Sequence, residues 1–221
     1  MSSPVIHIAP SILSADFRRL EREVKDVEAA GADRIHCDVM DGHFVPNLTF
    51  GPFIIETVRK CVSIPLDVHL MITNPQDYIA DYCNAGANIL LVHAEVCPDL
   101  APVLDQIRAR RVRAGAAVNP DKGLELLVPY LAHMDQVLIM TVFAGFGGQK
   151  FMPDMVPKIS AIRDEAARRN VTLDIAVDGG INHETARLCF ENGANVFVAG
   201  SYVFGGARYK DRIDALRNAA R

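Results

Sequence analysis

Short β-rich runs alternate with charged, helix-periodic segments from one end of the chain to the other. Runs starting at Val5 (VIHIAP), Arg34 (RIHCDV), Leu66 (LDVHLM) and Ile89 (ILLVHA) have the apolar and β-branched character of strands. Four more start at Arg113 (RAGAAV), Gln136 (QVLIMTV), Leu173 (LDIAVD) and Val196 (VFVAG). The intervening segments have helical spacing. In DFRRLEREVKDVEAAG, for example, Leu20, Val24 and Val27 fall at i, i+4 and i+7. Asp16 is placed to cap that helix and Gly31 to stop it. The pattern predicts eight strand–helix units in 221 residues.

A weak internal repeat supports the count. AGADRI at Ala30, AGANIL at Ala85 and NGANVF at Asn192 each end a helix with glycine and begin a strand. Gly31 and Gly86 are 55 positions apart, and Gly86 and Gly193 are 107 apart, close to two and four units. The remaining member belongs before the sixth strand, where LAHMDQV keeps only the Asp. Eight units with a two-unit echo predict an α/β fold, a single (β/α)8 TIM barrel spanning residues 1–221. The alternative, an open flavodoxin-like sheet, usually needs fewer strands.

Composition narrows the function classes. Half of the residues are hydrophobic, 23% are charged and the net charge is −4, with no basic run to hold nucleic acid. No apolar run approaches the ~18 residues of a membrane span. MSSPVIHIAP lacks the charged and apolar regions of a secretory signal. The five cysteines form no C-x-x-C pair, which fits free thiols in a reducing cytoplasm.

The candidate chemistry begins in HCDVMDGH, residues 36–43. Strand alternation puts His36, Asp38 and Met40 on one face and Cys37 and Val39 on the other. Cys37 and Val39 suit helix packing, so the first three are expected to point into the barrel near its C-terminal mouth. His69 and Met71 share one parity on the third strand, and Asp178 ends the seventh. Four ionisable groups therefore converge on one rim, where barrel enzymes build their sites. Buried carboxylates need a partner, a proton or a cation. A divalent metal with mixed N/O ligation satisfies His36, Asp38, His69 and Asp178 together. The alternative is a set of His–Asp hydrogen bonds around water. His93 suits a structural hydrogen bond at least as well as a ligand role, and Asp67 is a candidate to support a ligand from behind.

Glycine-rich loops follow the last three strands: GFGGQKF at Gly145, DGGI at Asp178 and AGSYVFGG at Ala199. Glycines there let backbone N–H groups close on a phosphate. Lys150 reads as a solvated surface lysine. Met40, Met71 and Met140 are candidates for a polarizable lining that excludes water, or for ordinary core.

Taken together, APSILSADF, HCDVMDGHFVPNLTFGP, DVHLM, GFGGQKF, VDGGI and VAGS resemble the ribulose-phosphate 3-epimerases, essentially end to end. The resemblance implies that His36, Asp38, His69 and Asp178 hold one divalent ion per chain, with Asp38 and Asp178 doubling as the acid/base pair. Zinc is favoured by the ligand set, and Fe(II), Mn and Co are also suited. It implies substrate contacts from Ser11 and His69. Gly145, Phe146, Gly147, Gly148, Gly179, Gly180, Gly200 and Ser201 would surround the phosphate of a small phosphorylated ketose. The implied reaction interconverts D-ribulose 5-phosphate and D-xylulose 5-phosphate through an enediolate, in a homo-oligomer with no nucleic-acid or membrane partner. A 3-epimerase of another ketose phosphate, such as D-allulose 6-phosphate, and a non-catalytic sugar-phosphate sensor are the alternatives. Phe143-Ala144 stands where the family usually has Asn-Pro or Asp-Pro, which bears on the shape of the strand-six loop.

Overall fold

In the computed structural model, which describes residues 5–220, eight parallel strands among those residues form one sheet rolled into a barrel. They are β1 (His7–Ala9), β2 (Ile35–Met40), β3 (Leu66–Met71), β4 (Ile89–His93), β5 (Arg113–Val118), β6 (Gln136–Met140), β7 (Asp174–Asp178) and β8 (Val196–Val198). Each overlaps the run expected for it. The sheet order is β1-β8-β7-β6-β5-β4-β3-β2. The remaining seam, between β1 and β2, is held by a parallel bridge from Ser11 to His36 and a 3.0 Å bond from the His36 N–H to the Pro10 carbonyl.

The expected alternation holds. Ile35, Cys37 and Val39 pack outward into the helix layer, with Val68, Leu70, Leu90 and Val92. The interior is filled by Ala9, Ile89, Leu91, Ala117, Leu138, Met140, Ala176, Val196 and Val198. Strand β5 is small inside because its neighbours are large. A Cβ at Gly115 would lie 2.5 Å from Leu91 Cδ2 and 2.3 Å from the Gln136 carbonyl oxygen.

Helices α1 (Leu20–Ala29), α2 (Pro52–Cys61), α3 (Ile79–Asn84) and α4 (Leu100–Arg108) follow β1 to β4. Helices α5 (Val156–Arg168) and α6 (His183–Glu191) follow β6 and β7, and α7 (Ser201–Phe204) and α8 (Tyr209–Ala219) follow β8. Two details differ from the sequence pattern. Asp16 does cap, accepting from the Arg18 N–H, but it caps a 3-10 turn over Phe17–Arg19 that runs into α1. The unit after β5 has no α-helix; 3-10 turns cover Leu124–Leu126 and Val128–His133.

The two-unit echo has a structural purpose. The Asp or Asn of each repeat accepts an N–H from the first or second residue of the strand before it. Ile8 N–H reaches Asp33 at 2.7 Å, Leu66 N–H reaches Asn88 at 2.9 Å, Ala114 N–H reaches Asp135 at 2.9 Å, and Ile175 N–H reaches Asn195 at 2.7 Å. The glycines Gly31, Gly86 and Gly193 adopt φ of +96°, +108° and +103°, the left-handed turn that ends a helix.

Candidate active site and metal cluster

Register sets the site. Asp38 on β2 pairs with His69 on β3, Met40 pairs with Met71, and Met140 on β6 pairs with Asp178 on β7. All six side chains turn inward at the C-terminal mouth. One ligand atom each from His36, Asp38, His69 and Asp178 lies within 4.8 Å of the others. His36 and His69 are fully buried, Asp38 is 3% exposed, and Asp178 is partly open to the cleft above.

Asp38 is the hub. Its Oδ2 accepts from the Ser11 hydroxyl at 2.5 Å. Its Oδ1 lies 3.2 Å from His69 Nδ1 and 3.3 Å from His36 Nε2. Burial opposes ionisation, but the charge of the close His36 imidazolium and the hydrogen bond of His69 hold Asp38 below the usual carboxylate range. Asp178 goes the other way. Burial, reinforced by the charge of Asp38, pushes it well above that range. For His36, burial lowers the pKa, and the carboxylates of Asp38 and Asp67 more than offset it, leaving it well above an ordinary imidazole. His69 is pushed down, chiefly by burial, to about 4.

Do these residues fit a cation? Hydrogen bonds within the cluster satisfy only part of it. His69 bonds Asp38, but neither ring nitrogen of His36 has a hydrogen-bond partner, although both are buried. Two imidazoles and two carboxylates also make a mixed N/O set of the kind that divalent ions take. The cluster fits a divalent cation better than it fits a closed His–Asp network. Behind it, Asp67 Oδ2 stands 3.6 Å from His36 Nδ1 and accepts from Gln136 Nε2 at 3.0 Å. The Arg34 guanidinium joins Gln136 at 2.5 Å and Asp174 at 2.6 Å, so a buried polar column rises from the barrel floor to the cluster.

Above the cluster opens one cleft. Ser11, Asp38, Asp178 and the thioether side chains of Met40, Met71 and Met140 form its inner part. Gly145, Phe146, Gly147, Gly148, Gly179, Gly180, Gly200 and Ser201 form its outer part. The structure thus brings together the residues singled out in the sequence. His36 and His69 lie under the floor and do not themselves line the cleft. Lys150 is exposed and stands outside this cleft. Two polar side chains that the sequence reading passed over do line it, Ser14 and Gln149. Ser14 is one 3-10 turn beyond Ser11, close enough to Gly200 that a Cβ there would lie 2.6 Å from its hydroxyl oxygen.

Comparison with known proteins agrees with this geometry. A family model described as the ribulose-phosphate 3 epimerase family matches residues 7–204. The ribulose-phosphate 3-epimerase of Bacillus subtilis is 49% identical over 97% of this chain and 100% of its own length. That of a Synechocystis species is 47% identical over 100% of this chain and 96% of its own. Among solved structures, KGPDC from Streptococcus mutans superposes with a TM-score of 0.75 at 11% identity, covering 98% of each chain, which speaks for the fold alone. With its motifs on one barrel mouth and its length matched by these relatives, the chain belongs to the ribulose-phosphate 3-epimerase family.

Proposed function

We propose that this protein, as a single barrel, interconverts D-ribulose 5-phosphate and D-xylulose 5-phosphate by moving the proton at C3. One observation carries the reading. Asp38 and Asp178 come from strands three steps apart on the ring and face one cleft, and burial beside Asp38 makes Asp178 the one that keeps its proton more readily. Inverting a carbon beside a ketone needs one group to remove a proton and another to return one on the opposite face.

Asp38, ionised, takes the C3 proton, and the C–H electron pair moves into the C2–C3 bond to give an enediolate. Asp178, protonated, returns a proton to the other face. The cycle ends with Asp38 protonated and Asp178 ionised, poised for the reverse direction. Ser11 donates to Asp38 and keeps its Oδ2 aimed at the cleft. Met40, Met71 and Met140 present apolar, polarizable surface that keeps water from the intermediate. His36, Asp38, His69 and Asp178 would hold one divalent ion, zinc on the ligand chemistry, with Fe(II), Mn or Co as substitutes. When bound, such an ion supplies electrophilic stabilisation to developing charge on the substrate oxygens. The outer glycine loops and Ser201 receive the phosphate, using backbone N–H groups that glycine leaves unobstructed.

Two further properties belong to the same reading. Leu48, Phe53 and Phe17 are 74%, 67% and 44% exposed around the β2–α2 connection, which favours a homo-oligomer. The cysteines are free thiols, and no helix among the described residues is long and apolar enough to cross a membrane, in keeping with a cytoplasmic enzyme.

The test is ribulose 5-phosphate in D2O, with wild type, Asp38→Asn and Asp178→Asn. Wild type should form xylulose 5-phosphate carrying deuterium at C3. Each variant should lose at least ~10²-fold in kcat, as for a positioned acid or base. Metal content is measured alongside, because both residues also belong to the cluster. Binding of the sugar phosphate by wild type without C3 exchange or epimer formation would sink the reading.

A further inference from the structure

Beneath the cleft floor, the His69 ring lies over that of His93, with centroids 4.9 Å apart and planes 23° from parallel. Their Nε2 atoms are 2.9 Å apart. His93 ends β4, faces the interior and is fully buried. Its Nδ1 is 3.2 Å from Glu95 Oε1. That oxygen also accepts from the backbone N–H of Asn119 at 3.1 Å and from Asn119 Nδ2 at 3.0 Å. Asn119 Oδ1 accepts in turn from the Ala144 N–H at 3.0 Å, in the loop after β6. The proton-transfer scheme uses none of these groups.

A cation at the cluster would fix where the protons of this chain sit. A carboxylate only accepts, so the hydrogen between Glu95 and His93 belongs on His93 Nδ1. The 3.2 Å approach is off-line for a hydrogen bond, and His93 Nδ1 and Glu95 Oε2 are both buried without a hydrogen-bond partner, so the carboxylate faces that nitrogen as a close charge. His93 Nε2 then carries a lone pair, and the 2.9 Å contact requires His69 Nε2 to be the donor. In the metal-free cluster the 3.2 Å bond to Asp38 takes a proton on His69 Nδ1; a cation there would take the Nδ1 lone pair instead and leave the His69 proton on Nε2, directed at His93. Phe44 closes the far side of His93, with centroids 4.6 Å apart. With no room to turn, the ring keeps this orientation.

We propose that His93 and Glu95 are positioning residues: they hold His69 in the tautomer whose Nδ1 can ligate the cation. Through Asn119, Glu95 also ties the strand-six loop to the same chain. The inference rests on reading the four-residue cluster as a metal site. It makes Glu95 a group shared by the metal side and the phosphate side of the cleft. His93 serves only the first, and Asn119 and Ala144 only the second.

The first test needs no variant. In zinc-loaded wild type, long-range proton–nitrogen spectra of the imidazoles should show the proton on Nε2 of His69 and on Nδ1 of His93. A proton on Nε2 of His93 overturns the proposal. The second is competition for zinc with a chromogenic chelator. His93→Leu should weaken zinc binding at least ~10-fold, within the usual range for a partner behind a ligand, while His93→Gln, whose amide oxygen can accept from His69, should stay within about threefold of wild type. Equal affinity in wild type and His93→Leu overturns it. Absence of zinc binding by wild type removes the metal reading itself, a different result from binding that the variants fail to weaken. In zinc-saturated enzyme, Asn119→Ala should raise KM for the sugar phosphate with zinc affinity unchanged, whereas Glu95→Ala should change both. A Glu95→Ala variant matching wild type on both measures overturns the shared role.

Discussion

Glycine serves two different purposes around the cleft, and only one concerns the ligand. Gly179 has φ +122°, and a Cβ there would lie 2.4 Å from Val142 Cγ2 and 2.8 Å from the Val142 nitrogen, so packing alone demands glycine. Gly200 has an ordinary negative φ, and its nearest obstruction is the movable hydroxyl of Ser14. A side chain at Gly200 would instead project among Ser11 and Ser14 on the phosphate side of the cleft. Gly200→Val is therefore expected to fold and to raise KM for the sugar phosphate at least ~10-fold, through lost remote binding energy. Steady-state kinetics with thermal melts checks this; an unchanged KM would mean the loop is merely a turn. Much of the site was legible residue by residue, because ionisable side chains on an inward strand parity have few structural excuses. Ser14 was not, since a serine in a turn carries no periodic signal. His93 was legible only as a buried histidine, its link to His69 being a contact across β3 and β4.

At the scale of elements, the barrel is built from pairs of units, and the Asp/Asn of each pair is the pin. Asp33, Asn88, Asp135 and Asn195 each accept an N–H near the start of a strand, from its first or second residue. Asn195 is 4% exposed and also donates to Asp174 at 2.8 Å, whereas Asp33 lies closer to solvent and pairs with Arg217. Asn195→Ala should cost about 2–3 kcal/mol and Asp33→Ala about 1 kcal/mol, since the penalty of an orphaned N–H grows with burial. Denaturant unfolding would rank them; equal small losses would mean water replaces the side chain at both sites. This repeat explains why strand number and barrel closure could be read from the chain. Gly31, Gly86 and Gly193 mark helix ends openly, but Arg111 and Asn170 take the same left-handed turn with φ +61° and +55° and give no comparable signal. The unit after β5 was misleading for a similar reason. Its apolar spacing suggested a helix, and the chain forms two short 3-10 turns there.

For the whole molecule, the cluster links strands from opposite sides of the barrel, so its occupancy should appear in global stability and its protons in the pH dependence. Asp178 is raised by burial and by Asp38. A carboxyl raised in this way stabilises the fold in its protonated form. That contribution is complete below the unfolded-state pKa and is lost as pH climbs through the raised folded value. His36, also raised, contributes in the same sense and over a higher pH range. A divalent ion competes with the proton on His36 and draws Asp178 toward its ionised form, while Asp38 is already ionised and His69 already neutral near pH 7. Zinc binding should therefore release protons and strengthen as pH rises from about 6 to about 8. At ~100 times its Kd, zinc adds about 2.7 kcal/mol. For a chain of this length that is a rise in Tm of roughly 5 to 10 °C, reversed by chelator. The shift should grow with pH in wild type. In metal-free protein, Asp178→Asn should raise stability relative to wild type on the alkaline side, by about 1 kcal/mol for each unit by which Asp178 had been raised. A zinc-induced shift in Tm that is flat across that pH range would mean the ion is held by groups other than Asp178 and His36.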